Sequence, residues 1–461
     1  MNSTFWTVSR LRTGAGVASA VVLASLAIGV PAQQTSTVPQ PQANALPAPA
    51  QASPKPSRVV ERPAGVMPRV PAGFTVTSYA EVQSPRMMVY APNGDLFVSS
   101  PATNSITVLR DANNDGTFEM RSTYAMGAPP APRGGGAGGG QRAAGPPAAP
   151  PPPAVLGANA PACAPPPAFT ERGPGELAAP FGLAFNGGYL YVGNTGSIVR
   201  YRYTNGDLTA QGAPEKLMNL PVGGHSTRNI VFNRAGTKMY VAVGSQSNND
   251  AGEDCRRAAI LEFNPDGTGF RVYASGIRNP VGLALQPGTD IVWTSMNERD
   301  NLGDNLVPDY ATSVREGGFY GWPYSYIGKN YDPRYVGSQP ELVGRAIVPD
   351  VLFPAHSAAL GMTFYTGTQF PQRYRNGGFV ALHGSWNRSV AAGYKVAFFP
   401  MVNGRPGPIE DFFGGFLASD GSNGAPISTW GRPVGVTVSP DGGLLVSDDV
   451  GHRIWKISVA R

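Results

Sequence analysis

The chain has 461 residues, of which 41% are hydrophobic and only 14% are charged. Glycine (59) and proline (46) together make up about 23% of it, nearly twice the ordinary share of about 12%. A helical bundle cannot carry that load, since inside a helix glycine costs about 1 kcal/mol and proline about 3. Collagen is excluded too, because no glycine recurs at every third position. The composition points to an all-β, turn-rich fold. The net charge is +6, yet no cluster of five or more basic residues occurs. Scattered basic charge of this kind suits an anionic small molecule, and no nucleic-acid partner is expected. Two cysteines, Cys163 and Cys255, exclude a disulfide scaffold and a multi-cysteine zinc module. They leave open one bridge or two loop thiols.

In chain order, Arg10 and Arg12 precede the apolar run GAGVASAVVLASLAIGV, which ends at Pro31-Ala32. A basic start, a short apolar core and a small-residue end predict an export signal over 1–32, with an uncleaved anchor as the alternative. No later segment is apolar enough to span a membrane, so a periplasmic or secreted protein is expected. Residues 33–65 are mainly Gln, Pro, Ala and Ser and predict a disordered linker. The remaining residues, 66–461, predict one β domain, interrupted by a Gly/Pro/Ala-rich inserted loop over 127–168.

Within that domain a unit recurs: a strand, a Gly-containing turn, a second strand ending in small polar residues, then further strands. Its instances begin at Met87, Phe181, Asn229, Val281, Gly361 and Val434. Apolar and polar positions alternate, and Asn93-Gly94, Asn186-Gly187 and Asp441-Gly442 supply tight-turn chemistry. About four strands per unit and six units predict a six-bladed β-propeller, with a pair of β-sandwiches as the rival. GFTVTSYA, from Gly73, would supply the strand closing the last blade against the carboxyl-terminal strand. The segment DANNDGTFEM resembles the start of an EF-hand loop, but its twelfth position is Ser122 where a bidentate Glu is needed. It reads as an Asx-rich hairpin turn.

In a propeller, loops ahead of the innermost strands converge on the channel, so chemistry is sought there. His225 follows two glycines just ahead of one such strand; a neutral imidazole there can act as a base, or can be a solvated loop residue. Arg278 and Asn279 stand at the next entry, suited to a carboxylate or carbonyl, or to loop carbonyls alone. Glu298, Asp300, Asp304 and Asp309 crowd one Gly-containing loop, which suits calcium or a solvated acidic loop. Arg388 in HGSWNRS and Arg432 in GRPVGV add cations, and with Arg278 they would give the channel mouth a positive field.

Taken in order, GGHSTRNIVF, GIRNPVGLAL, NERDNLGDNLVPDY, GGFYGWPYSY, PAHSAALGMTFY, HGSWNRS and GRPVGVTVSPDG resemble the soluble sugar dehydrogenases that use pyrroloquinoline quinone, in their sorbosone and pyranose dehydrogenase branch. The resemblance runs from Arg69 to Arg461, apart from the insertion. It implies a six-bladed propeller with the quinone across the channel mouth and Ca²⁺ against it. It also implies that His225 takes the proton of the sugar hydroxyl while hydride passes to the quinone. By the same resemblance Arg278 and Asn279 lie at the quinone carbonyl, Gln246 reaches substrate and Arg432 binds a quinone carboxylate. Where relatives have a Gly-Pro pair whose carbonyls hold calcium, Arg299-Asp300 stands here; where they have a lysine on the quinone, Arg388 is the substitute; and Val434 replaces a second arginine.

The activity expected is oxidation of an aldose or sugar aldehyde to lactone or acid, with electrons leaving to a separate acceptor. His225 would then titrate near about pH 6 to 7. The rivals are a calcium-dependent propeller lactonase, which needs clustered channel carboxylates, and a binding propeller without catalysis.

Overall fold

The computed structural model describes residues 40–113, 115–129 and 173–460. The export signal expected over 1–32, Cys163 and most of the inserted loop lie outside the described residues. Cys255 is not a free thiol.

Six sheets of four or five strands make up most of the described chain. Each begins with an inner strand: Met88–Tyr90, Gly182–Asn186, Ile230–Phe232, Asn279–Leu285, Ala359–Phe364 and Pro433–Val438. Successive antiparallel strands then step outward; the first sheet, for example, continues through Leu96–Ser100, Ser105–Arg110 and Met120–Met126. The turns follow the sequence signals, with Gly94 at φ +90° and Gly442 at φ +86°, conformations that glycine adopts without strain. Among the described residues the one α-helix is Pro340–Gly344. The all-β expectation holds, and no described helix is long and apolar enough to cross a membrane.

The six sheets close into a ring. Apolar side chains of each outward-stepping sheet pack against the next: Phe97 and Tyr124 on Leu183 and Tyr201, Tyr191 and Ile198 on Val241 and Leu261, Tyr240 and Ile260 on Leu283 and Tyr310. Trp293 stacks on Phe399 with centroids 5.7 Å apart, Phe398 and Phe412 join Val446 and Trp455, and Leu445 returns to Leu96 and Val98. Truncating a side chain such as Trp293 costs about 3–5 kcal/mol in such a core. Closure of the sixth sheet is as expected: Phe74–Glu81 pairs antiparallel with Arg453–Val459, from Phe74 opposite Val459 to Glu81 opposite Arg453. The amino-terminal strand and the last strand thus complete one sheet.

One expectation is corrected. The stretch expected to be a disordered linker is laid against the domain from residue 40 onward. Arg58–Val59 pairs in parallel with Ser428–Thr429, and Ala50 N–H donates to the Leu302 carbonyl at 3.0 Å. Leu46 packs on the cluster around Leu306 and Tyr326. Its proline and alanine content left few apolar groups to bury, but backbone hydrogen bonds to exposed loops do the holding instead.

Candidate functional site

The residues just ahead of the inner strands gather at one end of the ring. Immediately inside them Met87, Phe181, Val281, Leu360 and Val434, all buried, pack on one another and form an apolar floor. A cavity of about 270 Å³ lies nearer the other ends of the inner strands, lined by Met88, Ile230, Leu285, Thr363 and Thr437. The polar cluster above the floor is the candidate site, and none of His225, Arg278, Asn279, Asp300 and Arg432 lines that cavity.

His225 is half-buried. Its Nδ1 lies 2.9 Å from the Ser245 carbonyl and 3.1 Å from the Ser245 hydroxyl, whose own proton goes to the Ser247 carbonyl at 2.6 Å. Both are acceptors toward Nδ1, so Nδ1 carries the proton and Nε2 presents a lone pair. Desolvation first, then the nearby Arg278 charge, push its pKa down from 6.5 to about 3. The titration expected near pH 6 to 7 is thereby corrected: the imidazole is neutral throughout the physiological range. Arg228, fully buried, braces this loop by donating to the carbonyls of His225 (2.9 Å), Thr227 (2.7 Å) and Pro221 (2.7 Å).

Arg278 is 2% exposed and spends all five N–H groups on protein oxygens. They reach the carbonyls of Asn248 (2.9 Å), Asn297 (3.3 Å) and Glu298 (2.7 Å), Asn248 Oδ1 (2.9 Å) and Asp300 Oδ2 (3.3 Å). The expected direct bond to a quinone carbonyl would require it to release one of these oxygens, and as it stands Arg278 holds its neighbours together. Asn279 is different. It is buried, and its Oδ1 has no partner among the described residues. Gly244 keeps it beside His225: a Cβ there would lie 2.4 Å from Asn279 Oδ1 and 2.6 Å from His225 Cβ.

Asp300 sits between Arg278, on Oδ2, and His356, whose Nδ1 lies 3.3 Å from Oδ1; despite burial, these partners hold its carboxyl below the usual range. Asn387 Nδ2 also donates to Oδ1 at 3.3 Å, and among the described residues the buried Asn387 Oδ1 has no partner. His356 Nε2 faces the Gly303 carbonyl at 3.0 Å, so both ring nitrogens point at acceptors within the protein, and against the lowering effect of burial Asp300 raises its pKa. The acidic loop does not converge as a carboxylate cage. Glu298 pairs with Arg299, Asp304 Oδ2 accepts from Ser389, and Asp309 accepts from the N–H of Glu298 and Ala358. The fully buried Arg299 guanidinium joins Glu298 to Asp332. Of the two carbonyls expected to hold calcium, that of Asp300 already accepts from Asn248 Nδ2 at 3.1 Å, whereas that of Arg299 has no hydrogen-bond partner among the described residues.

Across the mouth, Arg432 donates Nε to the His383 carbonyl (3.0 Å) and Nη2 to that of Gly384 (2.8 Å), leaving Nη1 for a ligand. His383 Nε2 meets Asp449 Oδ1 at 2.9 Å, and Arg86 pairs with the other oxygen of Asp449. Arg388 is buried and donates to the carbonyls of Val390 and Ala355 and to Asn305 Oδ1. Gln246 is exposed at the rim.

Sequence reasoning missed Asn248, Asp449, Arg86 and Arg228. A signal for the arginines was present, since Arg86, Arg228, Arg278 and Arg432 each stand just ahead of an inner strand. Among the described residues the one group of three carboxylates that can meet is Asp111, Asp115 and Glu119, in a hairpin of the first sheet, and none forms at the mouth.

Residues 193–385 match the family model described as Glucose / Sorbosone dehydrogenase. The chain carries a glucose/sorbosone dehydrogenase domain. Residues 343–460 also match a TrAA12-like model. An uncharacterized protein of Borreliella burgdorferi is 34% identical over 237 residues, covering 50% of this chain and 60% of its own length. The aldose sugar dehydrogenase YliI of Escherichia coli is 26% identical over 200 residues, covering 39% of this chain and 52% of its own. A pyrroloquinoline quinone-dependent pyranose dehydrogenase of Coprinopsis cinerea is 27% identical over 300 residues, covering 50% and 39%. The chain thus spans less than two thirds of each relative's length. In fold, it is similar to the holo quinone domain of the Coprinopsis cinerea pyranose dehydrogenase, with TM-score 0.64, 19% identity, and 87% and 100% of the two chains covered. The calcium structure of a Trichoderma reesei family AA12 enzyme gives TM-score 0.64, 17% identity, and 85% and 97% covered.

Proposed function

We propose that this chain is an exported quinoprotein dehydrogenase, a six-bladed β-propeller that oxidises an aldose or sugar aldehyde to the lactone or acid. The observation that carries the reading is the locked His225 tautomer. An imidazole held by Nδ1, neutral to well below pH 7, with Nε2 free above an apolar floor, is a base for a substrate hydroxyl. When bound, pyrroloquinoline quinone supplies the two-electron acceptor for the hydride leaving the same carbon. The names of the relatives support the choice of sugar and quinone.

The mouth fits such a group. A multiply carboxylated ligand needs donors and positive charge; Arg432 offers Nη1, and Arg86, Arg278 and Arg432 supply the field. The unpartnered Asn279 Oδ1 asks for a ligand N–H, since a buried acceptor left unmade costs about 1–3 kcal/mol. Calcium, which takes oxygen ligands, would be held by the Arg299 carbonyl and the orphaned Asn387 Oδ1. Arg278 fixes Asp300 and the Asn248 loop and stabilises negative charge developing nearby. His225 Nε2 receives the hydroxyl proton, and Gln246 stands at the rim where substrate enters. The lactonase alternative gains no support, because no carboxylate cluster forms at the mouth among the described residues.

The test is reconstitution with quinone and calcium, then a screen of aldoses and aldehydes with a dye acceptor. Dye reduction that requires both sugar and quinone is expected. Hydrolysis of lactones without quinone-dependent dye reduction would overturn the reading.

A further inference from the structure

The segment from Leu46 to Val60 crosses the loops that carry the site's side chains. Ala50 N–H donates to the Leu302 carbonyl at 3.0 Å, just beyond Arg299 and Asp300, and Ala50 Cβ sits against Gly303, where a Cβ would come within 2.9 Å. Lys55 N–H donates to the Trp386 carbonyl at 2.7 Å, next to Asn387 and Arg388, while its ammonium lies 3.4 Å from the Ser389 carbonyl. Arg58 and Val60 N–H groups donate to the carbonyls of Ile427 and Thr429, both at 2.9 Å, just ahead of Arg432. One strand of chain therefore bridges three loops that come from the fourth, fifth and sixth sheets.

We propose that this strap is a positioning element of the quinone site, fixing the loops around Asp300, Asn387 and Arg432 relative to one another before the ligand arrives. The inference rests on the quinone reading above. The three loops belong to different sheets, and their mouth-facing residues meet mainly through side chains, so the strap supplies main-chain ties that the sheets do not. Holding a site in its bound geometry beforehand raises affinity by cutting the ordering cost on binding.

Two measurements test this in the full chain. The first is the double variant Ala50→Pro, Lys55→Pro, which deletes both N–H donors in a segment already rich in proline and leaves the Arg58–Val59 pairing intact. Lys55→Ala, which keeps its N–H and loses only the ammonium, is the reference. Quinone titration followed by absorbance should show affinity weakened by about tenfold or more relative to that reference, with an unchanged unfolding midpoint. The second uses the wild type. Because coupling is reciprocal, bound quinone should slow amide hydrogen exchange at residues 50 and 55. Equal quinone affinity in the variant and its reference, or exchange at those amides unaffected by quinone, would overturn the strap proposal. A wild-type chain that binds no quinone at all would overturn the functional reading beneath it.

Discussion

His225→Gln isolates the proposed base. Glutamine can keep a donor on the Ser245 carbonyl, which now holds Nδ1 at 2.9 Å, but it has no lone pair of comparable basicity to replace Nε2. The floor and the quinone-facing cations are untouched. Loss of a positioned base is worth roughly 10² to 10⁴ in rate, or about 2.7 to 5.4 kcal/mol of barrier. The assay is stopped-flow reduction of the bound quinone by an aldose, with quinone affinity measured in parallel. The structure also sets the pH profile. A folded-state pKa of about 3 leaves Nε2 unprotonated in the neutral range, so the wild-type rate should show no histidine inflection between about pH 5 and 8. Turnover within tenfold of wild type would refute the assignment, whereas a wild-type inflection near pH 6.5 that the variant abolishes would keep His225 as the base and contradict its lowered pKa. Loss of quinone binding in the variant would instead make His225 structural.

Other sites give further expectations. Arg299→Met leaves Glu298 and Asp332 buried without their cation and should cost about 3–5 kcal/mol by urea denaturation; a cost below about 1 kcal/mol would contradict the ion triad. Gly244→Ala drives a methyl group into Asn279 and His225 and should cut turnover by about tenfold or more while the sheets remain folded, read as activity against circular dichroism. Burial raises Asp448 to about 6, above its unfolded value of 3.8, so the folded state holds an extra proton between those pH values. Stability from this group is present below about pH 4 and lost as pH rises through about 6; the fall in unfolding midpoint across that window should be smaller in Asp448→Asn.

The ring of sheets was legible because each unit repeats a strand alternation and a Gly turn, and because the Phe74 strand matches the carboxyl-terminal one in length and pattern. His225, Asn279 and Arg432 were legible from their place ahead of inner strands. What arginine does there was not. Arg278 and Arg432 look alike in sequence, yet one exhausts its five N–H groups on protein oxygens and the other keeps its Nη1 group uncommitted, which depends on carbonyl directions that only the folded loops set. The strap was misread for a related reason. Its composition speaks of apolar burial, which it lacks, whereas it is held by main-chain donors whose acceptors lie more than 250 residues away in sequence. Nor does any spacing reveal that His356, with acceptors on both nitrogens, is committed to Asp300.

The central claim is that one carbon of a sugar loses hydride at this mouth while His225 takes its hydroxyl proton. Anaerobic mixing of the quinone- and calcium-loaded protein with an aldose deuterated at the anomeric carbon, followed at the quinone absorbance, tests it most directly. Reduction slowed severalfold relative to the undeuterated sugar, and abolished further in His225→Gln, is the predicted result. Quinone that stays oxidised with every aldose and aldehyde offered, or a reduction rate indifferent to deuterium and to His225, would contradict the account.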